Sequence, residues 1–237
     1  MIYAEILAGG KGTRMGNTEM PKQFLKIGNK PVLIHTIEKF LLQPRFDKII
    51  IVCPEPWISH TKDIMNKYIT SDLMDKVCVC AGGADRNESI MSGIAYIEKN
   101  FGVNDEDIIV THDAVRPFIT NRIIEDNIEL ALECGATDTV IPAYDTIIKS
   151  DDNDYVTEIP VRDKMYQGQT PQSFNIKKLT NYYNSLTDEE KKILTDAAKI
   201  FVIKNEKVRL VQGEIFNIKI TSPYDLEVAN MLVDSNK

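Results

Sequence analysis

The residues best equipped for chemistry lie near the N-terminus. An apolar run ends at Ile6-Leu7-Ala8. Gly9-Gly10-Lys11-Gly12-Thr13-Arg14-Met15-Gly16 follows, with Pro21-Lys22-Gln23-Phe24-Leu25 close behind. Four glycines fall within eight residues, and Lys11, Arg14 and Lys22 stand among or just after them. Glycine lets backbone N–H groups point into one concavity, because it tolerates φ > 0 and puts no side chain in the way. Ammonium and guanidinium groups on the same loop suit a ligand with several negative charges. The pattern is that of a loop wrapping a nucleoside triphosphate. Spacing excludes two commoner phosphate loops. A dinucleotide fingerprint needs G-x-G-x-x-G, but Gly10, Gly12 and Gly16 are one residue out of step, and no acid stands plainly at the end of the next strand. The G-x-x-x-x-G-K-[ST] loop is absent. A glycine-rich turn with solvated lysines is the plain alternative, and it leaves the closely spaced Arg14 and Lys22 unexplained.

Composition bounds the partners. The chain has 237 residues with 43% apolar and 27% charged, which fits one large α/β domain over 1–237 or a domain with a small appendage. Net charge is −7, with a pI near 5.1, which argues against nucleic acid or an anionic membrane as the main partner. The exception is local: Lys11, Arg14, Lys22, Lys26 and Lys30 face Glu19 alone, a basic island in an acidic protein. Cys53, Cys78, Cys80 and Cys134 form no CxxC pair and read as buried reduced thiols. Three scattered histidines, His35, His60 and His112, make a histidine metal site improbable. The densest apolar run, Ile49 to Cys53, is strand-sized, and no secretory h-region precedes the glycine loop. A cytoplasmic protein is expected.

The elements that must position this loop alternate along the chain. Strands are predicted at Ile2–Ala8, Lys48–Cys53, Lys76–Cys80, Asp107–Thr111 and Thr137–Ala143. Between them run helical patterns: Pro31 to Pro44, Trp57 to Tyr68, Asn87 to Lys99, and Thr120 to Cys134. This predicts an α/β fold, a Rossmann-like mainly parallel sheet with helices on both faces. Ligands in such sheets bind beyond the carboxyl ends of the strands. The glycine loop, Gly82-Gly83 and the His112–Pro117 loop all follow strand ends and are expected in one crevice. The alternation then lapses. Thr146–Lys149 and Tyr155–Ile159, around the polar turn 150–154, predict a projecting β-arm at about 144–168. Gln169–Phe174 brings the chain back. Two helices follow, one capped at Thr187-Asp188-Glu189-Glu190, then strands at Val208–Val211 and Phe216–Ile220, and a last helix from Pro223 to about Val233.

The segments LAGGKGTRMG, PKQFL, GGADRNES, HDAVRPF, VRDKMYQGQTPQSF and NIKITSPYDL, in this order from Ile6 to Leu226, resemble the cytidylyltransferases acting on polyol phosphates. One branch of that family uses 2-C-methyl-D-erythritol 4-phosphate and another D-ribitol 5-phosphate. Tyr166-Gln167-Gly168 and Gly213-Glu214 look more like the ribitol branch. The resemblance implies transfer of a cytidylyl group from CTP to D-ribitol 5-phosphate, with Mg²⁺ and pyrophosphate release, for a wall teichoic acid-type polymer. It implies Arg14 and Lys22 as transition-state stabilisers and Leu7, Ala8, Gly9 and Gly10 as backbone for the nucleotide. It assigns Gly82, Gly83, Ala84, Asp85, Arg86, Asn87, Glu88 and Ser89 to cytosine and ribose recognition. From sequence alone an ordinary turn with Asn87 as helix N-cap fits that stretch equally well. Methyl-erythritol relatives often carry an acid where this chain has Ala84. Asp113 is the implied magnesium ligand, since Mg²⁺ prefers oxygen donors plus the substrate's phosphates. Arg162 and Lys219 are implied to hold the polyol phosphate, with Thr146 and Thr170 as secondary hydroxyl contacts. Arg116 is read as pairing with a nearby acid. In relatives the arm is exchanged across a homodimer, so Arg162 is a candidate for the partner's site. The alternatives are the methyl-erythritol activity, a non-catalytic nucleotide-binding protein on the same fold, and a nicotinamide oxidoreductase. The off-step glycines disfavour the last.

Overall fold

The computed structural model describes residues 1–10 and 20–234. The chain opens with β1 (Ile2–Leu7), then two short strands, β2 (Lys26–Ile27) and β3 (Lys30–Pro31), and helix α1 (Val32–Leu41). Next come β4 (Lys48–Cys53), α2 (Ile58–Tyr68), α3 (Ser71–Met74), β5 (Val77–Ala81), α4 (Arg86–Phe101) and β6 (Ile108–Asp113). Then α5 (Asn121–Cys134), β7 (Ala136–Pro142), β8 (Tyr166–Asn175), α6 (Ile176–Asn184), α7 (Asp188–Lys192), α8 (Ala198–Ile203), β9 (Arg209–Gln212) and α9 (Pro223–Asp234) complete it. The main sheet has the order β5-β4-β1-β6-β8-β7-β9. β1 pairs in parallel with β4 and β6, β4 with β5, and β7 with β9. Only β8 runs against its neighbours.

Strand alternation divides the core between the two faces. Ala4, Ile6, Ile49, Ile51 and Val110 pack beneath α1, α2 and α5 through Ile34, Ile37, Met65 and Ile124. Tyr3, Ile50, Val52, Ile109 and Phe174 pack beneath α4, α6 and α8 through Ile90, Ile94, Leu179 and Phe201. Each fully buried aliphatic side chain contributes about 1.5–3 kcal/mol, so this two-sided burial dominates stability. No helix among the described residues is long and apolar enough to cross a membrane.

Several expectations need correction. Gln169–Phe174, read only as a return segment, belongs to a central strand that runs from Tyr166 to Asn175. Its polar sequence and Pro171 hide it. Pro171 sits where the β7–β8 register shifts between Asp138 and Val140, so its missing N–H breaks no ladder, and Thr139 Oγ1 donates to its carbonyl at 2.6 Å. The arm therefore ends before Tyr166. Its two predicted strands reduce to a single bridge between Lys149 and Glu158. Nothing covers either side there, and Ile148, Tyr155, Val156 and Ile159 are all exposed. Residues 216–220 are irregular rather than a strand, and α8 is a third helix after the return. All four cysteines are free, but Cys134 is exposed instead of buried.

One core residue breaks the apolar pattern. Glu5, in the middle of β1, is fully buried, and neither carboxyl oxygen has a hydrogen-bond partner. It lies against α4 at Gly93, where a Cβ would come within 1.9 Å of Glu5 Oε1. Burial pushes its pKa well above the usual value, with Arg86 opposing. The folded state thus holds this proton more tightly than the unfolded chain does. Its contribution to stability is present below the ordinary glutamate pKa and is lost as pH rises toward the raised value. Glu5→Gln keeps the shape and cannot ionise. Urea-unfolding free energies of the wild type should therefore fall relative to Glu5→Gln as pH rises above the ordinary glutamate value of about 4. Parallel curves would contradict an ionising buried Glu5.

Candidate active site

The carboxyl ends of β1, β5 and β6 open into one cleft of about 450 Å³. Its floor is backbone. Ala8 N donates to Val52 O at 2.7 Å, Gly82 N to Cys53 O at 2.9 Å and Ala114 N to Leu7 O at 3.0 Å, so each loop leaves the sheet edge in a fixed direction. Leu7, Ala8, Gly9 and Gly10 form one wall, and Gly83, Ala84, Asp85, Arg86 and Ser89 another. Asp113, Lys219 and Lys22 close the remainder. Three loops and the late segment, scattered over two hundred residues of sequence, are thereby joined.

The glycines serve space rather than left-handed backbone. None of Gly9, Gly10, Gly82 and Gly83 has the positive φ that the loop motif suggested. A Cβ on Gly83 would come within 2.3 Å of Glu88 Cβ and 2.8 Å of its carbonyl carbon, so only glycine lets the turn close on α4. The helix cap also differs from the sequence reading. Asp85, not Asn87, is the N-cap, accepting from Glu88 N at 2.8 Å, while Glu88 reaches back to Ala84 N at 2.9 Å. Asn87 is buried behind the wall, and Gly82, Asn87 and Glu88 are not among the described residues lining the cleft. Ser89 does line it, and its hydroxyl donates to Asp85 O at 2.7 Å.

Lys22 lies on a short turn, Lys22–Phe24, and is largely buried. Its stem runs along Gly10, whose Cβ would lie 3.6 Å from Lys22 Cε. Two neighbours anchor the turn. Phe24 packs on Trp57 and His60, with ring centroids 5.2 and 4.8 Å away. Gln23, which sequence reasoning passed over, donates from Nε2 to Ala8 O at 2.6 Å and lines the cleft. Its place immediately after Lys22 in the PKQFL segment was the available signal. Arg14 falls outside the described residues, as does Lys11.

Electrostatically the cleft centres on Asp113. Its carboxylate faces Lys219 Nζ at 2.9 Å, Arg116 Nε at 3.5 Å and Arg86 Nε at 3.7 Å. Burial alone would raise its pKa, but Arg86, Lys219 and Arg116 outweigh burial and hold the carboxyl well below the usual range. Asp113 is thus ionised, and the three cations around it leave an excess of positive charge toward the cleft. Arg116 pairs with Asp113 as expected and also donates to Asn217 O at 2.8 Å. Thr170 is buried, and its hydroxyl is used internally, accepting from Asp113 N at 3.2 Å and meeting His112 Nδ1 at 2.9 Å. Arg162 is not brought to this cleft. It lies exposed in a turn at the base of the arm, donating to Tyr144 O at 3.4 Å.

A backbone-walled cleft rimmed by cations is suited to a triphosphate, and relatives narrow the chemistry. The family model described as IspD, 2-C-methyl-D-erythritol 4-phosphate cytidylyltransferase, matches residues 2–235. A ribitol-5-phosphate cytidylyltransferase of Lactiplantibacillus plantarum is 61% identical over 234 residues, covering 99% of each chain. A 4-diphosphocytidyl-2C-methyl-D-erythritol synthase structure from Anaerococcus prevotii superposes with a TM-score of 0.79 at 29% identity, covering 98% of this chain and 96% of that one. The Francisella tularensis 2-C-methyl-D-erythritol 4-phosphate cytidylyltransferase gives the same TM-score and identity, covering 97% and 98%. The match takes in both walls of the cleft and the late segment bearing Lys219, and the chain therefore belongs to the IspD family of cytidylyltransferases.

Proposed function

We propose that this enzyme transfers the cytidylyl group of CTP to D-ribitol 5-phosphate, releasing pyrophosphate and CDP-ribitol. The observation that carries the acceptor is the 61% identity, over nearly all of both chains, with a relative named for ribitol 5-phosphate; the structures named for the methyl-erythritol acceptor are only 29% identical. CDP-ribitol supplies ribitol phosphate units for a wall teichoic acid-type polymer, and the enzyme works in the cytoplasm.

The reaction joins an acceptor phosphate oxygen to the α-phosphorus of CTP and breaks the bond from that phosphorus to the oxygen bridging to the β-phosphate. The attacking oxygen is already anionic, so no side chain has to remove a proton. The work left to the protein is alignment and stabilisation of a crowded, highly charged transition state. Leu7 to Gly10 on one wall and Gly83, Ala84, Asp85, Arg86 and Ser89 on the other hold the nucleotide between them, with the base and ribose at the start of α4. Lys22, beside Gly10, and Arg14 grip the phosphates at the point of attack. Lys219 holds the acceptor phosphate from the opposite side. Asp113 fits a magnesium ion: it is an ionised oxygen donor on the cleft wall, and Mg²⁺ commonly takes one carboxylate together with substrate phosphates. When bound there, the ion would neutralise phosphate charge.

Arg162 is assigned to the cleft of a second copy. The arm carries Tyr144, Ile148, Tyr155, Val156, Ile159 and Val161 exposed, and a homodimer formed through the arm would cover them.

The acceptor is tested by pyrophosphate release from CTP with each polyol phosphate in turn. Turnover is expected with D-ribitol 5-phosphate; turnover with 2-C-methyl-D-erythritol 4-phosphate alone would reverse the assignment. Lys22→Ala should lower kcat by on the order of a hundredfold, since it removes a donor acting on developing charge. Near-normal turnover would take Lys22 out of the mechanism. Arg162→Ala should raise KM for the polyol phosphate and spare CTP binding. If Arg162 serves the partner, mixing Arg162→Ala with Lys22→Ala restores roughly a quarter of wild-type activity, because half the dimers are mixed and each then has one intact site. No recovery after subunit exchange would place Arg162 in its own chain's reaction.

A further inference from the structure

Residues 213–222 carry Lys219 into the cleft without belonging to any helix or strand. A segment with no ladder of its own needs other bonds to fix a long, flexible side chain to within a fraction of an ångström. Asn217, two residues before Lys219 and fully buried, supplies them. Its Nδ2 donates to Gln169 Oε1 at 3.2 Å and to the Thr170 carbonyl at 3.0 Å. The Thr170 carbonyl can only accept, so the amide nitrogen must face it. Gln169 is fixed in the same way. Its Nε2 donates to Glu214 O at 2.8 Å, which turns Oε1 toward Asn217. Gly213 makes this possible, since a Cβ there would lie 2.4 Å from Gln169 Oε1.

These bonds close a ring around the acceptor half of the cleft. Asn217 holds the Thr170 carbonyl, the Thr170 hydroxyl holds Asp113 N, and the Asp113 carboxylate meets Lys219. A second path runs from the Asn217 carbonyl through Arg116 to Asp113. Asn217 and Asp113 are common to both paths, and of the two Asn217 is not among the described residues lining the cleft. We infer that Asn217 is a positioning residue for the known reaction: it sets where the Lys219 ammonium stands relative to Asp113, and so governs capture of the polyol phosphate and not of CTP. This inference rests on the assignment of Lys219 to the acceptor.

The test is steady-state kinetics on Asn217→Ala, Lys219→Met and the double variant of the full-length chain, after circular dichroism and thermal melting establish that each folds. Asn217→Ala should raise KM for D-ribitol 5-phosphate about tenfold and leave KM for CTP within about twofold, as expected when one reactant is misplaced. In the Lys219→Met background the same substitution should change KM for D-ribitol 5-phosphate by less than about twofold, because the side chain it positions is gone. If the two factors multiply, Asn217 does not act through Lys219. If Asn217→Ala raises both KM values alike, its role is general support of the fold. If Lys219→Met leaves the polyol-phosphate KM unchanged, the assignment of Lys219 itself falls, an outcome distinct from the other two. Should Asn217→Ala not fold, Asn217→Ser, which keeps a single donor, is read by the same criteria with a smaller expected rise.

Discussion

The site depends on keeping one carboxylate ionised in a nearly dry place. Asp113 stands at the end of β6, the strand beside β1, and three cations from three different segments converge on it. Removing Asp113 would leave three crowded cations without their counter-charge. The cluster therefore acts as a tie as well as a charge store. Arg86 brings in the start of α4, Arg116 the loop after β6, and Lys219 the late irregular segment. The same arrangement leaves surplus positive charge facing the cleft, which is what a triphosphate and a second phosphate require.

The inserted antiparallel strand explains how the Asp113–Lys219 side of the cleft is built. β8 enters the sheet beside β6 and pairs Thr111 with Gln172, just below Asp113. From Gln169 onward its polar side chains do not solvate a surface; they are spent internally. Gln172 Nε2 donates to Asp138 at 3.0 Å, Ser173 Oγ to Asn127 Oδ1 at 3.2 Å, and Thr170 and Gln169 hold the Asp113 and Lys219 segments. A strand with these bonds can be central without being apolar. The side formed by Leu7 to Gly10 and Gly83 to Arg86 is built differently, from glycine-containing loops that pack closely. The cleft is thus built from two kinds of structure, backbone on one side and a side-chain network on the other.

Much of this was legible from residue pattern. The alternation of β-branched runs with amphipathic stretches gave the parallel strands within a residue or two, since strands covered on both faces must be apolar throughout. Thr120 and Thr187 were legible as caps because capping is local chemistry. The arm was legible as an interruption but not as to its form, because two strands with nothing to cover them lack the burial that would pair them. Gln23, Asn217 and two of the charge partners of Asp113, Arg86 and Lys219, were not legible, since their partners lie from 15 to more than 100 residues away.

The sequence by itself determined the fold class and the family, because periodicity and motif order are properties of short stretches read in line. Only the tertiary structure decided that β8 is a central strand, that Asp85 caps α4, that Lys219 meets Asp113, and that Arg162 stands apart from its own chain's cleft. Those are questions of which distant groups share a desolvated space. The energy of a buried charge or an unpaired amide depends on its neighbours in that space and not on its neighbours in sequence.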